Sequence, residues 1–303
     1  MLISQIIDKS LPNLSYRAVA EREVETLGFL SSQAERICIF VGAKKFLKGI
    51  PKNASMAIIS PDLEDYLDRE KMGYIVVDHP REVFWQIHQA MDNGNGLSGE
   101  SFDTRISETA RVSPQAWISP HNVIIGDDVV IEPFVTIYPN TTIEKGCVIR
   151  SGSRIGGVGF MEVQIDGYLE TMNHYGGVVL HEGVDIHCNC CIDRGIFPGQ
   201  NTEIGAGTKM DNLVHIGHSV RIGEMCMLAA GTTLAGFSRF GNRVWVGLGA
   251  IAKNDLTVGD AARLNIGSVV VDSVADGISV SGNYAIEHGH FLYRQLELRR
   301  TEN

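Results

Sequence analysis

The sequence predicts a mainly β fold: a small N-terminal α/β domain, a parallel β-helix built of hexapeptide repeats, and a short C-terminal helix. Three observations carry that expectation. Aliphatic residues return at every sixth position over most of the second half, smaller side chains recur four positions after each of them, and neither rhythm is present before residue 100.

The comb is read directly. Leu180, Ile186, Ile192, Ile204, Met210, Ile216, Ile222, Leu228, Leu234, Phe240, Val246, Val258, Leu264 and Val270 share one six-residue phase, with Pro198 and Ala252 as weaker teeth. Ile125, Ile131, Ile137, Ile143, Ile149 and Ile155 form an earlier run, which Ile106, Val112 and Ile118 begin one residue out of register. Val129, Val135, Thr141, Cys147, Ser153, Val184, Cys190, Thr208, Val214, Val220, Cys226 and Thr232 fill the second inward column. Three hexads make one triangular coil of about 18 residues, and stacked coils bury a continuous apolar column. Glycine often follows a tooth, as at Gly126, Gly205, Gly223 and Gly259, where a corner would use its backbone freedom. That accounts for 33 glycines against 9 prolines.

The comb breaks between Ile155 and Leu180, so residues 157–179 are expected to form a loop thrown out of the β-helix as a lid or cleft wall. Residues 1–100 form a separate α/β domain, with apolar runs at Ile37–Phe40, Met56–Ile59 and Tyr74–Val77 as strands. A polar, glycine-rich linker over Asp92–Ser101 leads into the β-helix of residues 101–280. Residues 281–303 carry the terminal helix, over Glu287–Arg300.

A formal charge of -10 argues against a broad grip on nucleic acid or anionic lipid. No run approaches the roughly 18 apolar residues of a membrane span, and Met1–Lys9 has no cleavage signal, so stable membrane insertion is not expected and a cytoplasmic location is. Six cysteines in such a chain are expected to be reduced. Cys188, Cys190 and Cys191 beside His187 suggest a metal site by spacing alone. Packing is the preferred reading, because Cys190 shares the small inward column with Cys147 and Cys226.

His218 is the strongest catalytic candidate because it stands in the third slot of its hexad, outside both core columns and beside Gly217. Gly236 occupies the same slot one coil along, so its backbone N–H could approach an atom reacting at His218. A histidine base and a backbone donor are the minimal parts for acyl transfer, and Asp211 is the candidate to orient the imidazole. The competing reading makes His218 an exposed corner residue. His215–His218 also spells the nucleotide-binding signature of one class of aminoacyl-tRNA synthetases, but here the string lies in phase inside the comb. Gly156–Gly159 lacks the following helix that a phosphate-binding glycine motif needs.

Ser151–Phe160, Cys191–Gly195 and Asp211–His218 resemble consecutive motifs of the UDP-3-O-acylglucosamine N-acyltransferase family of lipid A biosynthesis, and the resemblance runs over nearly the whole chain. It implies a left-handed parallel β-helix, a homotrimer with sites between subunits, and transfer of a hydroxyacyl chain from acyl carrier protein to a sugar amine. By position it implies His218 as general base, Asp211 as its acidic partner and Gly236 as oxyanion donor. Phe40 and Phe46 match two aromatic positions that hold the nucleotide base, although on their own they read as core packing. No metal or cofactor is implied.

The chain departs from the family's pattern in four places. Its β-helix is shorter before the loop, Ala43 stands where asparagine is common, Asp255 stands where a second histidine is common, and the C-terminal segment is short. These departures turn the expectation toward a cousin that N-acylates another nucleotide-linked amino sugar for a cell-surface glycan, with acyl-CoA or acyl carrier protein as donor. The alternatives are the lipid A enzyme itself, using a 3-hydroxyacyl carrier protein, and a catalytically silent β-helix that binds a sugar nucleotide.

Overall fold

A computed structural model of the chain describes every residue except 30, 31, 33, 92–100, 166, 283, 291, 294–296 and 298–303. The expected linker therefore lies almost wholly outside the described residues. Of the expected terminal helix, residues 288–290 are helical and much of the rest is also outside them.

Each hexad contributes a strand of two to four residues, and strands one coil apart pair in parallel to build three long sheets. The first face includes Thr141–Ile143, Val178–Leu180, Thr202–Ile204, Arg221–Ile222 and Arg239–Phe240. The second includes Val148–Ile149, Asp185–Ile186 and Lys209–Met210. The third includes Arg154–Gly157, Cys191–Asp193, His215–Ile216 and Thr233–Leu234. Teeth meet teeth in the ladder: Ile186 pairs with Met210, Ile192 with Ile216, and Ile216 with Leu234. Together with Val184, Cys190, Val214 and Cys226 they form one buried apolar column. Such a column is the dominant favourable term in folding a solenoid, because no single coil can hide its own apolar face.

Two details differ from the expectation. Pro198 is not a tooth. Leu180 pairs directly with Ile204, so the segment between Asp193 and Thr202 leaves the helix as a second loop, and the 24 residues from Leu180 to Ile204 exceed a regular coil by one repeat. The glycines after the teeth also act for another reason than backbone freedom. Gly126, Gly205, Gly223 and Gly259 do not have left-handed φ; a Cβ on any of them would run into atoms of the next coil. The left-handed residues come three positions after each tooth, as at Asp128 (φ 57°), Asn140 (φ 61°), Gly146 (φ 69°) and Leu213 (φ 63°). The corner is thus tight enough to hold even leucine in a conformation that L-residues avoid. The one-residue offset of the first teeth is real and absorbed by the ladder, where Val112 pairs with Ile131 and Ile118 with Ile137.

The N-terminal residues form a five-stranded sheet in the order Thr26–Leu27, Ile37–Val41, Ala54–Ile59, Gly73–Val76 and Arg17–Val19, the last strand antiparallel. Helix α1 (Ile3–Ser10) buries Ile3, Ile6 and Ile7, one face at helical spacing, and helix α2 (Pro80–Ala90) buries Val83, Phe84 and Ile87. This core is not self-contained. Val163, Ile165 and Met172 from the residues 157–179 insertion enter it, as do Ile196 and Phe197 from the second loop. The insertion is a hairpin, Glu162–Ile165 against Tyr168–Thr171, which docks on α2 through His88 Nε2 and the Asn173 carbonyl at 2.8 Å. Both excursions from the β-helix therefore clasp the N-terminal unit. No helix among the described residues is long and apolar enough to cross a membrane.

Candidate active site

His218 lies at the corner between the third and first faces, directly after the strand His215–Ile216, and it is buried. The exposed-corner reading fails because the insertion and the next coil cover the ring. His174 from the insertion stands edge to face with it at 5.6 Å between centroids, and Phe237 from the next coil at 4.9 Å. On a third side a Cβ at Gly159 would lie 3.1 Å from His218 Cδ2 and 2.9 Å from Asp193 Oδ2, so only glycine fits between that carboxylate and the ring. The imidazole lies against the backbone of Phe160 and of His218 itself, and Nδ1 is buried with no hydrogen-bond partner among the described residues. A ring proton on Nε2 would leave Nδ1 with a lone pair for a substrate proton.

Gly236 is where stacking places it. It packs against the imidazole so closely that a Cβ would fall 2.7 Å from each ring nitrogen. Neighbouring amides are used, Ala235 N–H by the Ala252 carbonyl and Phe237 N–H by the His218 carbonyl, but the Gly236 N–H has no acceptor among the described residues. A free backbone donor thus stands beside a histidine whose Nδ1 has no partner among the described residues.

Asp211 is not brought to His218. It sits one corner earlier, between the second and third faces, where Oδ1 accepts from the Asn212 backbone at 2.7 Å and lies 3.8 Å from His187 Nδ1. One strand of the third face separates the two positions, so a spacing that looks close along the chain becomes two corners of the triangle. The carboxylate beside His218 is instead Asp193, half-buried, 3.8 Å from His215 Nε2, and raised in pKa by desolvation against the opposing pull of His215. Asp193 and His174 escape sequence reasoning. The first stands inside the Cys191–Gly195 motif, and the second sits in an insertion whose path the repeat does not set.

Phe40 and Phe46 line one cleft of about 890 Å³, shared with Phe29, Trp85, Arg81 and, from the insertion, Met161 and Val163. Phe40 is half-buried, 5.1 Å from the Phe84 ring, so it serves the core and the cleft at once. Phe46 is 46% exposed and presents a ring that packing does not use. The cleft approaches the histidine, since Met161 follows the Phe160 whose backbone lies against His218.

Cys190 is buried in the β-helix column, and Cys191 lies on the third face in register with His215. The neighbouring cysteines therefore diverge.

Burial holds both His88 and His218 down to a pKa of about 4, and the His174 pair adds to the effect at His218. The unfolded chain takes up these protons near 6.5 and the folded chain near 4, so the stability these groups hold is complete above pH 6.5 and is lost as pH falls toward 4. The expected slope is about 1.4 kcal/mol per pH unit for each histidine. Urea midpoints measured from pH 7 to pH 4.5 should fall accordingly, and H88Q should flatten part of the fall. A flat profile in both proteins would contradict neutral burial.

A family model described as bacterial transferase hexapeptide (six repeats) matches residues 122–157. A UDP-3-O-acylglucosamine N-acyltransferase of Caulobacter sp. (strain K31) is 37% identical over 134 residues, which cover 44% of this chain and 39% of that protein. A protein of the same name from Wolinella succinogenes is 34% identical over 158 residues, covering 50% and 47%. Among solved structures, the Francisella novicida UDP-N-acetylglucosamine acyltransferase aligns at a TM-score of 0.49 and 23% identity, over 63% of this chain and 71% of that one. The matched part spans less than half the length of these curated relatives. Over the matched residues the chain carries the bacterial transferase hexapeptide repeat and is similar to proteins named UDP-3-O-acylglucosamine N-acyltransferase.

Proposed function

We propose that the chain is an N-acyltransferase that moves an acyl group from a thioester donor to the amino group of UDP-linked 3-O-acylglucosamine. The observation that carries this reading is the juxtaposition of His218 Nδ1, buried with no partner among the described residues, with the unpaired N–H of Gly236. Amide formation needs both. The amine nitrogen forms a bond to the thioester carbon, one N–H proton passes to His218, and the carbonyl oxygen gathers negative charge against the Gly236 N–H. The C–S bond then breaks, the thiolate takes the proton back from the imidazolium, and amide and thiol leave with His218 neutral again. Neither a metal nor a covalent enzyme intermediate enters these steps.

The cleft of Phe40 and Phe46, with Arg81 at its wall, suits a nucleotide: ring faces for the base and a cation for phosphate. The names of the relatives support UDP-3-O-acylglucosamine as acceptor over the other amino sugar that the sequence departures suggested, with acyl-CoA or acyl carrier protein as the donor to be tested. A silent β-helix is disfavoured by the pairing of His218 with the unpaired Gly236 N–H, two groups that acyl transfer needs together. Leu213, Leu248 and Ile266 form an exposed apolar strip at the corner between the second and third faces, which supports self-association of the trimeric kind the resemblance implies.

The test is turnover of the full chain on a panel of nucleotide-linked amino sugars, with short acyl-coenzyme A and long 3-hydroxyacyl carrier protein as donors. Amide product is expected with UDP-3-O-acylglucosamine and one of the two donors. Preference for another amino sugar with coenzyme A would restore the cousin, and no amide from any pair would remove the reaction class.

A further inference from the structure

The second histidine has no part in the mechanism above, yet it is built as an acceptor. His174 is buried to 7% exposure, and its Nδ1 lies 2.8 Å from the Met172 carbonyl. Because that carbonyl can only accept, Nδ1 holds the proton and Nε2 holds a lone pair. His174 Nε2 is buried with no hydrogen-bond partner among the described residues, the same condition as His218 Nδ1. Two rings in edge-to-face contact thus each keep one unpartnered nitrogen, and no hydrogen bond joins the two among the described residues.

A purely structural histidine in this place would be poor design. A buried acceptor left unpaired costs stability, which methionine or leucine of similar volume would not incur. The insertion nevertheless delivers this ring to His218 with its tautomer fixed from behind by a backbone carbonyl. Groups that can serve two acceptors at once carry at least two protons on one atom. A primary amine does so and an alcohol does not.

We propose that His174 is a substrate-contacting residue whose Nε2, together with His218 Nδ1, grips the two N–H bonds of a primary amine and so selects an amine over a hydroxyl as acyl acceptor. The inference rests on the acyl-transfer reading and deepens it. With one N–H on each histidine, the nitrogen lone pair points away from both rings and is free to attack the thioester carbon. His218 takes the proton during attack, whereas His174 only accepts a hydrogen bond and stays neutral throughout. An alcohol bound to His218 leaves His174 unpaired, the asymmetry by which sites built to hydrogen-bond a group discriminate against an analogue lacking it.

The test uses the full chain, with UDP-glucosamine and UDP-glucose as probes that differ by amine against hydroxyl. In 15N NMR of the histidine rings, UDP-glucosamine is expected to shift both His174 Nε2 and His218 Nδ1, and UDP-glucose to leave His174 unmoved. In turnover, H174A should lower kcat/KM for the amine acceptor about 10- to 100-fold. H174Q, whose side-chain carbonyl can still accept, should recover most of that loss. His174 Nε2 unmoved by the amine sugar, or an H174Q protein as impaired as H174A, would overturn the proposal. Both nitrogens shifting while no donor yields amide would uphold the pair and remove the acyl-transfer reading instead.

Discussion

Replacing His218 with alanine should lower kcat by about 10²- to 10⁴-fold, the range that general-base catalysis supplies, while leaving the protein folded. The separation of the two effects follows from the residue's place in the fold. His218 stands in the third slot of its hexad, outside the teeth and the small column that hold the β-helix together. Removing it opens a void lined by Gly236, Phe237 and His174, but it also removes a buried nitrogen that has no partner. These terms oppose one another, so the urea midpoint at neutral pH should move little. H218A should also lose part of the acid sensitivity, because one of the two groups with a pKa of about 4 is gone. The measurement is amide formed under saturating donor and acceptor, beside urea unfolding of the same preparation. Activity within threefold of the parent chain would show that the amine loses its proton elsewhere, and Asp193, the half-buried carboxylate across Gly159, would be the first group to examine.

The β-helix was legible because its physics is periodic. A tooth every six residues must stack on a tooth one coil away, so Ile186, Ile192 and Ile216 could be assigned to the core without knowing any partner. The same regularity misleads at Pro198, where a loop of repeat length keeps the phase although the chain has left the helix. Glycine was read for its freedom of φ, whereas at Gly205 and Gly223 what matters is the lack of a Cβ under the next coil. A count of residues along one chain contains no information about that neighbour.

The site divides in the same way. His218 and Gly236 are one coil apart in one slot, a relation that the repeat states, and the structure stacks them. Asp211 is near His218 only along the chain; a turn of the triangle puts it on another corner beside His187. His174 and Gly159 belong to the insertion, which obeys no repeat, so their contact with His218 depends on how the hairpin docks against α2 and the N-terminal core. Phe40 and Phe46 were read both as packing and as base-stacking residues. Phe40 divides its ring between the two environments, and only Phe46 is free of the core.

Gly236→Ala should abolish most activity, by about 10²-fold or more, through a single methyl group. The backbone is not the obstacle, since Gly236 does not occupy the left-handed region and alanine can adopt its conformation. The obstacle is the imidazole. The added Cβ would stand 2.7 Å from each nitrogen of His218, and the ring cannot retreat because His174 and Phe237 hold its other sides at 5.6 Å and 4.9 Å between centroids. It must therefore rotate, which moves Nδ1 away from the free N–H. Gly146→Ala supplies the contrast. That glycine has φ of 69° with nothing within 4 Å of a new Cβ, so alanine there costs about 1–2 kcal/mol of backbone strain and touches no part of the site. Gly146→Ala should lower the urea midpoint and keep kcat, whereas Gly236→Ala should keep most of the midpoint and lose kcat. A Gly236→Ala protein that works normally would mean that the imidazole and the Gly236 N–H do not act on the same reacting carbon, and the oxyanion would then need a different donor.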